Sequence, residues 1–159
     1  MPTTIDRAEA VARLPARDGC WLCRLLANVE PVVSDGDVVL FIPEYGVRWG
    51  HLLVAPRAHY ETFSELPEPS WMRLCRLARR AAGALERELS PRRWYVASLG
   101  SAEDDLPMTC PHLHVHVVPT YRPEDRPRTV LTWSGGVVVS SATERAELRA
   151  RLRKHLHAG

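Results

Sequence analysis

Pro111-His112-Leu113-His114-Val115-His116-Val117-Val118-Pro119 carries three histidines two residues apart, with apolar residues between them. Read as a strand, the stretch puts all three imidazoles on one face, because strand side chains alternate with a period of two. Leu113, Val115 and Val117 then fall on the opposite face, which suits a sheet packed on a core on one side and open to a cleft on the other. Three readings of this ladder stand side by side. It is a His-rich exposed edge, or a direct chelator of a metal through imidazole nitrogen, or a surface on which one imidazole is a nucleophile and its neighbours hold a phosphate.

Working outward, Trp94 to Leu99 reads as a strand, and an acidic loop, Gly100 to Met108, leads into the histidines. Upstream lies the one long helix, about Ser70 to Leu89, with Trp71, Leu74, Cys75, Ala78, Ala82, Leu85 and Leu89 as its inner face. Further back, Val38 to Ile42 and His51 to Ala55 are apolar runs of strand length, joined by Glu44, Tyr45, Arg48 and Trp49 among glycines, a connection able to line a site. Asp18-Gly19-Cys20-Trp21-Leu22-Cys23 is a turn into a short helix, the local shape that brings two thiolates onto one ion. Buried or redox cysteines are the competing reading of that pair. Cys75 and Cys110 read as packed thiols.

At the ends of the chain, residues 4–14 read as a helix capped by Thr3 or Thr4. Beyond the histidines, Val130 to Trp133 and Val137 to Val139 read as short strands flanking Gly135-Gly136. Ser141-Ala142-Thr143-Glu144 is a capping box, and Leu148, Leu152 and Leu156 continue it as a C-terminal helix. The order of elements predicts a single α+β domain with a largely antiparallel five-stranded sheet, one long helix and several short ones.

Composition bounds what this domain does. At 159 residues, with 45% hydrophobic and 25% charged residues, the chain has the make-up of a folded globular protein and not of a disordered one. A net charge of +2 gives no electrostatic case for nucleic acid, and the arginine clusters read as solvated faces. No apolar run has membrane-span length, and the N-terminal residues lack a signal-peptide core. The cysteine usage points to a reducing compartment, so a cytoplasmic protein is expected, with neither nucleic acid nor membrane as partner.

His112-Leu113-His114-Val115-His116-Val117-Val118 resembles the signature of the histidine triad superfamily. Gly50-His51-Leu52-Leu53-Val54-Ala55-Pro56-Arg57-Ala58-His59 is similar to the family's earlier strand, and Cys20-x-x-Cys23 to the zinc pair of its zinc-bearing bacterial members. The resemblance covers residues 18 to about 121, with a helical extension over about 141–157. It implies a nucleotide hydrolase or phosphoramidase in which His114 attacks phosphorus to give a covalent nucleotidyl-histidine. His116 and His51 would hold the phosphate oxygens, and Thr109 would support the leaving group. It implies a structural zinc on Cys20, Cys23, His59 and His112, no catalytic metal, a nucleotide or phosphate ester as substrate, and a homodimer.

Three departures from the family pattern bear on the substrate. Pro43 stands where nucleoside-binding members carry a ribose-holding acid, so Glu44 and Ser101 are the substrate-binding candidates. Pro107-Met108-Thr109 replaces a Gly-Gln-Ser-type approach. Cys110-Pro111-His112 resembles the transferase branch, whose third triad member is Gln where this chain has His116. The alternatives are therefore a nucleotidyltransferase or phosphorylase, and a zinc-stabilised binding protein without turnover.

Overall fold

The computed structural model describes residues 2–14, 19–99 and 110–156. In chain order they form β1 (Thr3–Ile5), α1 (Arg7–Ala12), α2 (Trp21–Asn28), β2 (Val33–Asp35), β3 (Val38–Phe41), β4 (Tyr45–Gly46) and β5 (Leu52–Pro56). There follow α3 (Glu68–Leu89), β6 (Arg93–Ala97), β7 (Val115–Thr120), α4 (Pro127–Leu131), β8 (Val137–Val139) and α5 (Ala142–Leu156). Five strands make one antiparallel sheet in the order β2-β3-β5-β7-β6. A second antiparallel sheet, β1-β8-β4, joins the two ends of the chain to the β3–β5 connection.

Alternation sorts the large sheet into two faces. Val38 and Leu40 of β3, Leu52 and Val54 of β5, and Val115 and Val117 of β7 are buried against α3 and α5. Val39, Phe41, Leu53 and Ala55 point the other way, under Leu22 and Leu26 of α2. His116 pairs with Leu53 and so shares this second face, beside α2 and away from the main core. Helix α3 buries Leu74, Leu77, Ala78, Ala81, Ala82, Ala84 and Leu85, and Leu148, Leu152 and Leu156 of α5 join the same core. Truncating one of these leucines to alanine removes buried area and leaves a void, a cost of about 2–5 kcal/mol.

Several expectations are corrected by the structure. Residues 4–14 are not one helix: Thr3, Thr4 and Ile5 pair with β8, and Asp6 starts α1 by accepting the Glu9 N–H at 2.8 Å. The β-branched Thr3 to Ile5 run favours a strand, and an Asp cap outcompetes threonine there. Val130 to Trp133 is not a strand; the run opens as α4, with Pro127 in its first turn, and Val130 packs on Val47 and Val118. Cys75 is exposed, because the buried stripe of α3 runs through Leu74 and Leu77 instead. Cys110 is buried as expected.

The histidine strand itself begins only at Val115, so His112 and His114 precede the paired region. The Leu113 N–H donates to the Tyr60 carbonyl at 2.6 Å and the Ser98 hydroxyl to the His114 carbonyl at 3.0 Å. These bonds stand in for the ladder ahead of Val115.

Candidate active site and metal centre

His51 closes a tight turn. Its N–H donates to the Arg48 carbonyl at 3.0 Å, and the preceding Gly50 has φ of +84°, where a Cβ would lie 2.5 Å from Leu89 Cδ1. The chain then enters β5, next to β7, and His51 Nε2 comes within 3.0 Å of His116 Nδ1. His114 is tilted against His116 with ring centroids 4.7 Å apart, so His51, His114 and His116 form one group.

The hydrogen bonds assign a tautomer to each ring. The Val47 N–H donates to His51 Nδ1 at 3.2 Å, so the His51 proton sits on Nε2. That Nε2–H donates to His116 Nδ1, so the His116 proton sits on its own Nε2. His114 Nδ1 donates to the His112 carbonyl at 2.7 Å, which leaves the lone pair on His114 Nε2. The site thus offers an imidazole lone pair on His114 beside an N–H donor on His116. Both nitrogens of His51 are engaged, so it reaches a substrate only through His116.

Burial keeps the three rings neutral. It pushes His51 down to about 3, with help from the charge of a protonated His114 nearby. Burial, then His51 and His114, hold His116 well below the usual histidine range. Burial also lowers His114, against the opposing pull of its bond to the His112 carbonyl. A neutral imidazole is the nucleophilic form.

Next to this group, Cys20, Cys23, His59 and His112 bring one ligand atom each to within 4.8 Å of one another. Cys20 caps α2 and its Sγ accepts the Cys23 N–H at 3.3 Å, the geometry that a helix start gives the Cys-x-x-Cys spacing. His112 Nδ1 lies 3.6 Å from Cys20 Sγ and 3.3 Å from Cys23 Sγ, and His59 Nδ1 lies 3.3 Å from Cys23 Sγ. A tetrahedral ion with ordinary bond lengths spaces N and S ligands by about 3.5 Å, so the donor set and its spacing fit a metal ion. The far ring nitrogens are also anchored, His112 Nε2 on the Pro56 carbonyl at 2.9 Å and His59 Nε2 on Glu61 at 3.2 Å. Burial pushes both thiols up. Cys20 is nevertheless brought below its ordinary value by the Cys23 N–H and neighbouring donors, while Cys23 stands at about 11.

Glu44, offered above for substrate binding, is exposed and lines a cavity of about 460 Å³ with Pro43, Leu25, Arg145 and Arg149; none of the three histidines lines it. Thr109 and Ser101 lie outside the described residues. His155 Nε2 lies 2.9 Å from a Glu88 carboxylate oxygen on the α3–α5 surface, apart from both sites. Sequence reasoning missed Val47, Ser98 and Glu61. Val47 and Ser98 act on the histidine segments through a backbone N–H and a loop hydroxyl, which leave no spacing to read, whereas His59-x-Glu61 was visible as a histidine with a carboxylate two residues on.

The HIT domain family matches residues 28–123, and the chain belongs to it. An uncharacterised HIT-like protein of Saccharolobus solfataricus is 32% identical over 106 residues, 64% of this chain and 74% of that protein. A zinc-bound histidine triad family protein of Mycobacterium smegmatis superposes with a TM-score of 0.60 at 21% identity, covering 87% of this chain and 93% of that one. The diadenosine triphosphate hydrolase of Plasmodium falciparum superposes with a TM-score of 0.62 at 13% identity, covering 80% and 76%. At these identities the solved structures speak for the fold.

Proposed function

We propose that the protein is a nucleotide hydrolase or phosphoramidase that works through a covalent nucleotidyl-histidine on His114. The observation that carries this reading is the His114 Nδ1–H pinned to the His112 carbonyl, which presents the Nε2 lone pair beside the His116 N–H. In the first step a P–Nε2 bond forms, the bond from phosphorus to the leaving nitrogen or oxygen breaks, and the leaving group departs with the electron pair and a proton taken up from solvent. The ring becomes an imidazolium whose Nδ1–H already faces a carbonyl oxygen, a bond that strengthens as charge develops. His116 Nε2–H donates to a phosphate oxygen, and His51 keeps that donor in place. Water then attacks phosphorus, the P–Nε2 bond breaks, His114 returns to neutral, and the water's proton passes to solvent, which balances the proton given to the leaving group.

The Cys20, Cys23, His59 and His112 set would hold zinc as a closed structural site. Its place in the mechanism is mechanical, since His112 supplies both a ligand nitrogen and the carbonyl that orients His114. The same reading extends to a two-fold dimer. β6, one of the two edge strands of the large sheet, carries exposed Val96 beside a groove lined by Phe63 and Trp71, and an antiparallel edge strand can pair with its own copy across a two-fold axis. Light scattering at the monomer mass would refute the dimer.

The enzymatic reading is tested by rapid quenching with an α-phosphorus-labelled nucleoside phosphoramidate or dinucleoside polyphosphate. Acid-labile, alkali-stable label is expected on the wild type and none on His114→Ala. Turnover at the wild-type rate by folded, metal-loaded His114→Ala would overturn the mechanism. Release of the label by an added acceptor in preference to water would place the protein among transferases.

A further inference from the structure

The HIT-domain match ends at residue 123, yet residues beyond it reach back to the turn that carries His51. Asp125 is 5% exposed, and its carboxylate collects four donors. Oδ1 accepts Arg48 Nε at 2.9 Å and Nη2 at 2.6 Å, while Oδ2 accepts the Tyr121 and Arg122 N–H groups at 3.0 and 3.1 Å. The fork is a rigid contact, because two donors of one planar guanidinium converge on Oδ1 while two backbone N–H groups hold Oδ2. Arg48 passes the constraint on. Its Nη1 donates to the Val47 carbonyl at 2.5 Å, and its own carbonyl accepts the His51 N–H.

Arg48 therefore grips Val47 and His51, the two residues whose mutual hydrogen bond decides the His51 tautomer. Other contacts keep the guanidinium and the turn in place. A Cβ on Gly135 would lie 2.9 Å from Arg48 Nη2, so the bare glycine leaves room for the side chain. The Tyr121 hydroxyl donates to the Trp49 carbonyl at 2.8 Å, and Tyr45 and Gly46 are tied into β8.

We propose that Arg48 and Asp125 are a positioning pair for the reaction: by fixing the 47–51 turn they aim the Val47 N–H at His51 and thereby make His116 an Nε2–H donor toward the substrate. Without the pair, the turn is free to withdraw the Val47 N–H, and His51 Nδ1 can itself take the proton. His51 then presents a lone pair at Nε2, accepts from His116, and turns the His116 donor away from the phosphate. The pair touches no substrate atom and acts through His51. The inference rests on the mechanism proposed above for its catalytic consequence, but not for the tautomers, which need no substrate.

The test is Asp125→Asn in the full, metal-loaded chain. The asparagine oxygen still serves the Tyr121 and Arg122 N–H groups, while its NH₂ faces Arg48 and breaks the fork. Long-range ¹H–¹⁵N correlation of the imidazoles should show a pure Nε2–H form of His51 in the wild type and a mixture of tautomers in the variant. His114 should stay Nδ1–H in both. With a nucleoside phosphoramidate, kcat should fall by about 10–100-fold, the cost of a misplaced catalytic group, with KM changed less than about twofold. Arg48→Lys, which keeps the charge but not the fork, should fall between.

Arg149→Gln, which breaks the Arg149–Glu30 pair away from the site, should leave the His51 spectrum unchanged; a shift there as large as in Asp125→Asn would overturn the inference. If Asp125→Asn does not fold, Tyr121→Phe removes the hydroxyl bond to the Trp49 carbonyl and should give a smaller tautomer shift of the same sign. A pure Nε2–H His51 in every folded variant would overturn the positioning role. Wild-type protein without turnover would instead sink the hydrolase reading and leave the tautomer result standing.

Discussion

The row of histidines is held differently at its two ends. At the His112 end the fixing elements are two thiols and two imidazoles that converge on one point, with α2, the loop after β5 and the approach to β7 each supplying part of the set. At the His51 end the fixing elements are a five-residue turn, an arginine fork and a backbone N–H, all within the chain. The first arrangement could hold a metal ion, which would tie its three segments together more firmly than the thiol–imidazole contacts do by themselves. The second is complete in the folded chain. His114 sits between them, oriented by the carbonyl of His112 and flanked by the donor that His51 sets.

Removing the ion should break the comparison most strongly. Cys20→Ser, or chelation of the wild type, is expected to cost most of the bound zinc and several kcal/mol of stability together, because binding free energy at a structural site is also folding free energy. Metal analysis alongside urea unfolding checks this, and full metal content in Cys20→Ser would discard the assigned ligands. The His51 tautomer should survive mild chelation that leaves the fold intact, whereas the His114 Nδ1–H bond should weaken. That contrast separates the two ends.

A smaller effect is expected from the donor end. His116→Ala should keep its zinc and its fold and lose about 10²–10³-fold in kcat, the usual cost of one charge-stabilising donor. Steady-state kinetics on protein of verified metal content measures it, and a loss as complete as in His114→Ala would mean that His116 does more than donate.

The smallest effect is on stability against pH. His51 titrates near 3 in the folded protein and near 6.5 when unfolded, so the folded state binds fewer protons between those values. Its neutral burial is therefore costless above about pH 6.5, and stability falls as pH drops below that, by at most about 1.4 kcal/mol per pH unit for one group. Urea unfolding at pH 7, 6 and 5 should show a shallower acid decline for His51→Gln than for the wild type. Acid release of metal is common to both proteins and cancels in the difference, and equal slopes would contradict a buried neutral His51.

What the sequence made legible follows from how local each signal is. The Cys-x-x-Cys at a helix start, the α5 stripe and, apart from Cys75, the α3 stripe were read with their place in the fold, whereas of the His-x-His-x-His run only His116 lies in the strand it was read as. The α+β class and the five-stranded antiparallel sheet followed from them. The β1-β8-β4 sheet did not, because strands of two or three residues carry no period and their pairing depends on partners far along the chain. The Arg48–Asp125 pair was hidden for the same reason: two charged residues of opposite sign in separate loops look like solvated surface until the fold buries them.

The distance along the chain between β1 and β8 also governs the order of assembly. Thr3 finds its partner at Val139, and Tyr45 pairs with the same residue, so the small sheet cannot close until Val139 has left the ribosome. Contacts of such separation carry the largest loop-closure entropy and form late, after the helix-rich local structure around α3. The nascent protein should therefore pass through a stage in which the large sheet is built and the turn before β5 is still loose. In that stage the Cys20, Cys23, His59 and His112 group could already be assembled while the turn that carries His51 is not yet fixed.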